Sequence, residues 1–330
     1  MLKWAFVIAL VGIIIYTFRD TAGPILGQLK KTNPLVIVGI CGLTVIYHLL
    51  EGGITTLLAR EYNQEFAYRS GVGNAFFCSF YRVATLGSGA GVAGVLYLGE
   101  HGVEHSKGFG LYMLQYAFHK ISIAIFSGIF LVLNWNFMYS HFESYMWLLV
   151  AGYLLTMVIT LFLILFCCST KFHKVIFTLL DFINGKFKGR FEVQIASLRG
   201  ECQMLEVASK HILKRKRLVA EVIGISLVRN CFWYGIPYLI FMGHNDVTLM
   251  QTMAVTSLAI MLAAVLPAPG GIGSTELVLT SLFAGIVGTG LAGSASLLYR
   301  FGTFVFPFMV GAVVVIVRRV RLKKQTTSTS

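Results

Sequence analysis

The segment Pro267-Ala268-Pro269-Gly270-Gly271-Ile272-Gly273-Ser274-Thr275-Glu276 interrupts an apolar stretch that otherwise extends from Leu249 to Val287. Its prolines and glycines cannot continue a helix, because proline lacks an amide donor and glycine is conformationally free. Broken backbone at membrane depth is tolerated only inside protein or beside a water-filled cavity. A carboxylate just after such a break is costly in hydrocarbon, so Glu276 is a candidate functional residue. The segment is typical of a transporter substrate site.

Composition predicts an all-α, polytopic membrane protein. Hydrophobic residues make up 56% of the 330-residue chain, charged residues only 12%, and the mean hydropathy is +0.76. A soluble domain of this length is more polar, so the chain needs several helical spans. Of its 27 Lys and Arg residues, 16 lie in Lys171–Arg217 and Arg318–Lys324. Such clusters beside apolar spans indicate cytoplasmic segments that contact anionic inner-leaflet lipids, rather than a nucleic-acid interface.

Hydropathy predicts six full spans and two interrupted regions. The spans are Trp4–Phe18, Pro34–Leu58, Phe109–Leu133, Ser144–Cys168, Leu218–Met242 and Leu291–Val317. The interrupted regions are Gly71–Leu98, broken at Gly87-Ser88-Gly89-Ala90-Gly91, and Leu249–Thr289, broken at Pro267–Gly273. The first span resembles a signal peptide but lacks a small-residue cleavage site, so it is interpreted as uncleaved.

Charge predicts the topology. The basic segments belong inside, and the loops Asn134–Glu143 and Gly243–Val247, which contain no Lys or Arg, belong outside. Both termini are then cytoplasmic, and each interrupted region must return to the side from which it entered. The two regions have opposite orientations, which predicts an inverted repeat with a site where their tips approach the midplane. Whether each is a re-entrant hairpin or a pair of short spans stays open.

The basic segment 171–217 has helical periodicity of its own. Its apolar residues recur near helical spacing at Phe191, Ile195, Leu198, Cys202, Leu205 and Ile212, with Arg190, Glu192, Arg199, Glu201 and Lys210 between them. This pattern predicts an amphipathic helix that lies on the inner leaflet or against the bundle.

Charges inside apolar stretches are the candidate substrate-binding residues: Glu51, Arg82, Arg229, Glu276 and Arg300. A guanidinium can hold a lipid phosphate with two hydrogen bonds, and a carboxylate can hold an amine or a proton. If the two broken regions meet, Arg82 and Glu276 face one cavity. Two other interpretations stay open: a buried Arg–Glu pair that only fixes packing, and snorkelling of Arg229, or of Lys120, to the interface.

The candidate gating positions are the backbone breaks themselves. In the first region they are Gly87, Gly89 and Gly91, and in the second Pro267, Pro269, Gly270, Gly271 and Gly273. The spacing Gly87-x-x-x-Gly91 is equally typical of close helix packing in membranes.

Other motif matches carry no chemistry. Residues 89–94 match G-x-G-x-x-G but lie in a membrane segment rather than a βαβ unit. His101-Gly102-Val103-Glu104-His105 matches H-x-x-E-H, yet an intramembrane metalloprotease needs a third zinc ligand that no following segment offers. The six cysteines form no C-x-x-C pair. The sequence predicts no catalytic residue, metal or cofactor.

The segment Tyr81–Gly91, followed by Tyr97-Leu98 and Gly102-Val103, resembles the first signature of the lysylphosphatidylglycerol synthase transmembrane family, the flippase-like domain of the multiple peptide resistance factor. Pro269–Gly273 with Glu276 is similar to its second signature, P-G-G-x-G-x-x-E. Tyr299-Arg300-Phe301, with Pro307 and Gly311, resembles its last span. The resemblance covers essentially the whole chain.

The resemblance implies a bacterial inner-membrane domain that moves a lipid, such as aminoacylated phosphatidylglycerol, between leaflets. We expect residues 1–317 to form this flippase-like domain and residues 318–330 a basic cytoplasmic tail. In two-part relatives a separate cytoplasmic domain makes the lipid from aminoacyl-tRNA, and we expect this polypeptide alone not to catalyse that reaction. A separate synthase or glycosyltransferase is a candidate partner.

Three alternatives remain at this stage. The chain is the transmembrane part of a phosphatidylglycerol lysyltransferase system with a separate catalytic partner, or it is an ion-coupled carrier of a small solute. The third, an intramembrane metalloprotease, would need bound zinc. The substrate also stays open between an anionic lipid, a zwitterionic lipid and a lipid-linked glycan carrier. Oligomeric state cannot be predicted from the sequence.

Overall fold

The computed structural model describes residues 12, 22–186, 191–243, 247–266, 268 and 271–328. These residues form helices and turns, with no β-strand among them. The α-helices are α1 (Ala22–Lys31), α2 (Pro34–Ala59), α3 (Tyr68–Ala84), α4 (Ala90–Glu100), α5 (His105–Leu133), α6 (Trp135–Phe142), α7 (Met146–Cys168), α8 (Thr170–Lys186), α9 (Glu192–Leu213), α10 (Lys216–Tyr234), α11 (Tyr238–Phe241), α12 (Leu249–Val265), α13 (Ser274–Val287), α14 (Thr289–Arg300) and α15 (Phe306–Ser328).

The prediction of an all-α, polytopic membrane protein is confirmed. Within the described residues, five helical stretches are long and apolar enough to span a membrane: Pro34–Ala59, His105–Leu133, Trp135–Cys168, Lys216–Phe241 and Thr289–Arg321. They match five of the six predicted spans. The other, Trp4–Phe18, lies outside the described residues except for residue 12.

Local chemistry fixes where several helices begin. Pro34 is the first residue of α2, where its missing amide costs nothing, and the Asn33 side chain accepts a hydrogen bond from Leu35 N at 2.9 Å. At α12, the Thr248 hydroxyl accepts from Gln251 N at 3.3 Å while the Gln251 side chain accepts from Thr248 N at 2.8 Å. These caps satisfy amides that have no partner within the helix, and so they fix where α2 and α12 begin.

The first interrupted region is a helical hairpin. α3 has 17 residues and α4 has 11, so they are roughly 25 Å and 16 Å long, too short to cross about 30 Å of hydrocarbon. The Phe77 ring packs on Tyr97, with centroids 5.1 Å apart, and a Cβ on Gly94 would lie 3.0 Å from Cys78 Sγ. Both contacts require α4 to fold back along α3.

The second interrupted region repeats this design. α12 has 17 residues and α13 has 14, and the two helices pack against each other. Each region is therefore a hairpin of two short helices. Pro267, Pro269 and Gly270, predicted to form the break, lie outside the described residues.

The two hairpins start from opposite ends of the bundle. α2 is antiparallel to the span formed by α10 and α11, since Gly39 lies beside Leu239 of α11, the Tyr47 ring contacts Trp233, and Leu58 clusters with Val222. The first hairpin follows the end of α2 and the second follows α11, at the other end of that helix pair. A long helix, a hairpin and a long helix thus occur twice in opposite orientation, as an inverted repeat predicts.

The segment between α7 and α10 contains two helices where periodicity predicted one. Four of the predicted apolar positions of α9 are buried: Ile195, Cys202, Leu205 and Ile212. α9 packs on α5 and α7, which favours the bundle over the leaflet as its support. Phe191 and Leu198 were expected on the same face, but they are exposed. The sequence analysis did not predict α8. Arg190, a predicted polar position of this segment, lies outside the described residues.

A π-helical turn, Phe301–Val305, separates α14 from α15 in the last span. The Thr44 hydroxyl donates to Gly302 O at 2.9 Å, so a carbonyl freed by the irregular turn regains a partner. A Cβ on Gly302 would lie 2.5 Å from Ile40 Cγ2, so only glycine allows this approach of α2. Such turns often occur at functional sites, and Arg300 directly precedes this one.

Candidate functional site

A cavity of about 360 Å³ lies beside the tip of the first hairpin, between α2, α3, α4 and α5. We call it the hairpin cavity. It is lined by Tyr47, Glu51, Arg82, Gly87, Ala90, Gly91, Tyr112, Gln115, Tyr116, His119 and Lys120. A smaller polar cavity of about 40 Å³ shares five of these residues and adds His48, Asn74 and Ser79. The hairpin therefore holds polar side chains inside an otherwise apolar bundle.

Glu51 is held at the wall of the cavity by two partners. Its Oε2 atom pairs with Arg229 Nη1, and its Oε1 atom accepts a hydrogen bond from Gln115 Nε2 at 2.8 Å. Gln115 also contacts the Thr55 hydroxyl, at 3.0 Å from its Nε2 atom. Both carboxylate oxygens are thus engaged by donors of the protein itself.

Arg229 is fully buried, with only 1% of its surface exposed. Its Nη2 atom lies 2.6 Å from His119 Nδ1, and its guanidinium lies 5.1 Å from the centre of the Tyr47 ring. Arginine can only donate, so His119 Nδ1 is the acceptor and the imidazole is neutral. The ion pair with Glu51 and the ring of Tyr47 compensate for burying this charge.

Among the residues that the structure describes, no anionic side chain pairs with Arg82 or Lys120, the two cations that line the hairpin cavity. Arg82 lies in the last turn of α3, and its side chain makes no hydrogen bond or ion pair with any residue that the structure describes. Lys120 is half-buried and lies 5.4 Å above the Tyr116 ring, again without an anionic partner in the described part of the chain. A charge without a partner in a membrane bundle is a functional candidate by default.

The turn that follows Arg82 and α3 depends on glycine. Gly87 has φ +100°, which glycine adopts readily, and its amide donates to Arg82 O at 2.7 Å. Gly89 precedes α4, and Gly91 lies inside it, where a Cβ would be 3.2 Å from the Tyr112 ring. The predicted break is thus located at residues 85–89. Gly91 serves close packing, and Gly87 serves the turn.

Glu276 and Arg300 form a second charged pair, at the second hairpin. Arg300 Nε lies 3.2 Å from Glu276 Oε1, and its guanidinium lies 3.8 Å from the centre of the Phe304 ring. Glu276 Oε2 accepts from Gly273 N at 2.9 Å, so the same carboxylate caps α13. Gly271 and Gly273, at φ +68° and +80°, form the described part of this turn.

The structure separates two residues that the sequence suggested as partners. Arg82 lines the hairpin cavity with Glu51, and Glu276 is paired with Arg300 instead. The suggested Arg82–Glu276 pair is therefore wrong, because Arg300 of the neighbouring helix α14 pairs with Glu276. The role of all five candidate residues in binding substrate stays a prediction.

Sequence reasoning missed four residues of the cavity wall on α5: Tyr112, Gln115, Tyr116 and His119. Together with Lys120 they recur at spacings of three and four, which places them on one helix face. This pattern within the predicted span Phe109–Leu133 could have predicted a polar face. The apolar residues around the rest of this helix outweigh that face in the overall composition of the span.

In the H-x-x-E-H stretch, His101 and Glu104 contact neighbouring residues of the protein. His101 Nδ1 contacts Tyr97 O at 2.8 Å, and Glu104 pairs with Lys107 at 2.9 Å. Among the described residues, no three His, Cys, Asp or Glu side chains are grouped so that they could hold a metal ion.

The family model described as the lysylphosphatidylglycerol synthase TM region matches residues 2–311. No curated protein matches the chain.

Proposed function

The chain belongs to the lysylphosphatidylglycerol synthase TM family, and we propose that it is a lipid translocase. Its cargo in this proposal is aminoacylated phosphatidylglycerol or a related lipid, which it moves between the leaflets of a bacterial inner membrane. The sequence resemblance supports this reading, as does a hairpin with a polar tip inside an apolar bundle. No step of the mechanism calls for a cofactor or a catalytic residue.

The observation that carries the proposal is the free guanidinium of Arg82 in the hairpin cavity. A lipid that crosses the bilayer needs a polar path for its headgroup while its chains stay in hydrocarbon. The hairpin cavity supplies cationic and aromatic side chains inside the bundle, and Arg82 can engage the headgroup phosphate. The second hairpin, with Glu276 and Arg300, is the candidate counterpart for release at the other leaflet.

The orientation we propose places the termini and the basic segments in the cytoplasm. Four aromatic side chains are exposed near the opposite end of the bundle: Trp135, Tyr139, Tyr145 and Trp147. Exposed Trp and Tyr are enriched at membrane interfaces, and Lys and Arg are enriched on the cytoplasmic side. The exposed lysines of α8 would then contact anionic lipids of the inner leaflet.

Leaflet exchange in proteoliposomes tests the proposal. We expect the protein to expose a labelled aminoacylated phosphatidylglycerol to an impermeant reagent far faster than empty vesicles do, and we expect Arg82→Ala to abolish most of that rate. Arg217→Ala is the matched control, because Arg217 is 93% exposed and pairs only with Glu221 in the described chain. Solute uptake without lipid exchange would favour the small-solute carrier instead.

A synthase-associated role is the second candidate, and the family description favours it. In that case the domain acts beside a separate synthase or glycosyltransferase that makes its lipid. Co-purification of such an enzyme with the tagged chain, and lipid synthesis that depends on both, would establish this role.

A further inference from the structure

The helix α8 has an apolar face that the rest of the described chain leaves exposed. Four large apolar side chains project from it: Val175, Leu179, Phe182 and Ile183. Their spacing of three and four residues places them along one side of the helix, which we call the outer face. The other side of α8 packs on α9, where Phe177 clusters with Ile195 and Cys202. An exposed apolar face of this kind marks a contact with a partner or with a membrane.

α8 begins at the end of a membrane span and does not continue its direction. Only Ser169 separates α7 from α8, and its backbone is extended, with φ −104° and ψ 108°. Its hydroxyl accepts from Phe172 N at 3.2 Å and so caps the new helix. His173 Nε2 lies 2.6 Å from Phe166 O, which keeps the first turn of α8 beside the last turn of α7. The start of α8 is therefore fixed at the edge of the hydrocarbon layer.

The outer face continues the lipid-facing surface of α7. Phe162 of α7 is 56% exposed, and its ring lies 5.9 Å from the ring of Phe172. A straight continuation of α7 would separate these residues by about 15 Å along the helix axis, so α8 must fold back beside the span. Phe172 lies on the same side of α8 as Leu179 and Ile183, which follow it by seven and eleven residues. The outer face is therefore directed to the hydrocarbon that Phe162 contacts.

The charges of α8 fit the headgroup layer at this depth. Three exposed lysines lie near the two ends of the outer face: Lys171, Lys174 and Lys186. The ammonium group of Lys186 lies 4.8 Å from the centre of the Phe182 ring, so its stem follows the apolar face and its charge stays at the edge. Asp181, the one acidic residue in the sequence of α8, pairs with Arg199 of α9. This distribution is typical of a helix that lies in a membrane interface.

We propose that α8 is an in-plane membrane helix whose outer face is inserted among the acyl chains of the leaflet at the end of α7. The occupant of this face is lipid hydrocarbon, because the contact between Phe162 and Phe172 joins it to the lipid-facing side of a span. Insertion goes beyond an attraction of lysines to anionic headgroups, since it is driven by buried apolar area and persists when charges are screened. It does not depend on lipid translocation.

Nitroxide labels on the full chain test the depth of α8 in nanodiscs of phosphatidylcholine and phosphatidylglycerol. The labels are attached at Leu179→Cys, on the outer face, or at Thr178→Cys, an exposed position on the adjacent side, after the six native cysteines have been replaced. Oxygen concentrates in hydrocarbon and a nickel chelate in water. We expect the ratio of oxygen to nickel collision rates at Leu179 to exceed that at Thr178 at least about threefold, because only the outer face is inserted.

Three results of this measurement would overturn the proposal. A label at Leu179 that is as open to nickel as the label at Thr178 would place the outer face in water. A label that neither oxygen nor nickel reaches would show that protein covers the face, and dipolar broadening of its spectrum would identify a second copy of the chain. A ratio that falls to the control value in about 1 M salt, where the Debye length is about 3 Å, would show attachment through charge alone.

A charge introduced on the outer face gives an independent test. With the label at Val175→Cys, Phe182→Asp should raise the nickel collision rate at least about threefold, because an ionised carboxylate is costly in hydrocarbon. Thr178→Asp, which lies off that face, is the matched control and should leave the rate unchanged. Melting temperatures check that both variants keep their fold. An unchanged nickel rate in a folded Phe182→Asp protein would contradict the insertion.

Discussion

The carboxylate of Glu51 and the guanidinium of Arg229 join α2 to α10 across 178 residues of sequence. The pair lies at one wall of the hairpin cavity and is the only ionic link between these two helices within the described residues. It explains how two costly charges are tolerated in a membrane bundle, and it keeps Glu51 from neutralising Arg82.

Removing one partner of this pair should destabilise the protein. Arg229→Met leaves Glu51 without its buried counterion, which costs about 3 kcal/mol in such pairs. Thermal or SDS denaturation of the purified protein would measure the free energy of unfolding. The Glu51→Gln/Arg229→Met double variant should recover part of the loss, because no unpaired charge then remains.

The pair of Arg318 with Glu100 is the control for that experiment. Both of its side chains are partly exposed, at 26% and 33%, and an exposed pair contributes about 1 kcal/mol or less. Glu100→Gln should therefore have a small effect. Equal losses for Glu100→Gln and Arg229→Met would contradict the assignment of Arg229 as a buried anchor.

Gly52 should be irreplaceable where Gly42, on the same helix, is not. A Cβ on Gly52 would lie 2.6 Å from backbone atoms of Val72 in α3, whereas Gly42 has nothing within 4 Å. Gly52→Ala should lower the free energy of unfolding by about 2 kcal/mol, because backbone cannot move aside as a side chain can. Gly42→Ala should be neutral or stabilise by up to about 1 kcal/mol, because alanine is the better helix former.

Measuring the free energy of unfolding of Gly52→Ala and of Gly42→Ala tests this prediction. A Gly52→Ala protein as stable as Gly42→Ala would show that α2 and α3 do not pack as closely as the structure places them.

The sequence carries enough information to predict the hairpins but not the partners of their charges. Proline and glycine break a helix locally, so the breaks at Gly87 and Gly273 could be predicted from the sequence. The distribution of Lys and Arg predicts which loops are cytoplasmic, so the opposite orientation of the two breaks could be predicted as well. The partner of Glu276 depends on which helix packs beside it. Nothing near Arg300 in sequence distinguishes it from Arg82 as that partner.

α8 was missed for a related reason. Its buried side chains, His173 and Phe177, pack on α9, while apolar residues on its other side are exposed. A single apolar stripe is the signature that periodicity detects. α8 has buried residues on one face and exposed apolar residues on another, so its sequence does not show a single apolar stripe.

Glu276 should show two separable contributions to stability. Glu276→Gln removes the ion pair with Arg300 but keeps an oxygen that can accept from Gly273 N, so the cap of α13 survives. Glu276→Ala removes both contacts and should destabilise the protein by about 1 kcal/mol more than Gln does, the usual value of a helix cap. Identical stabilities of the two variants would show that the cap contributes nothing.

The same pair of variants tests the predicted functional role of Glu276. If its charge binds a cation or a proton during transport, Glu276→Gln should slow leaflet exchange at least about tenfold even where the fold is intact. Exchange at the wild-type rate in Glu276→Gln would leave the carboxylate with a structural role alone.

Acid should loosen the attachment of α8 through Glu206. This carboxylate on α9 accepts hydrogen bonds from Lys210 Nζ, at 2.6 Å, and from the Thr170 hydroxyl, and it contacts His173 Nδ1 at 3.0 Å. These donors, Lys210 first, lower the pKa of Glu206 from 4.5 to about 2. His173 Nε2 also lies 2.6 Å from Phe166 O, so the cluster ties α8 to both α7 and α9.

Because the pKa of Glu206 is lower in the folded protein, the unfolded chain binds its proton more tightly. The stabilisation is therefore fully present above about pH 4.5 and is lost as the pH falls towards 2. At pH 7 we expect Glu206→Gln to lower the melting temperature by about 2 °C, and we expect this difference to shrink as both proteins are acidified below pH 4.5. A difference that stays constant down to pH 2 would mean that the charge of Glu206 does not hold α8, since only an ionised carboxylate loses its advantage over glutamine in acid.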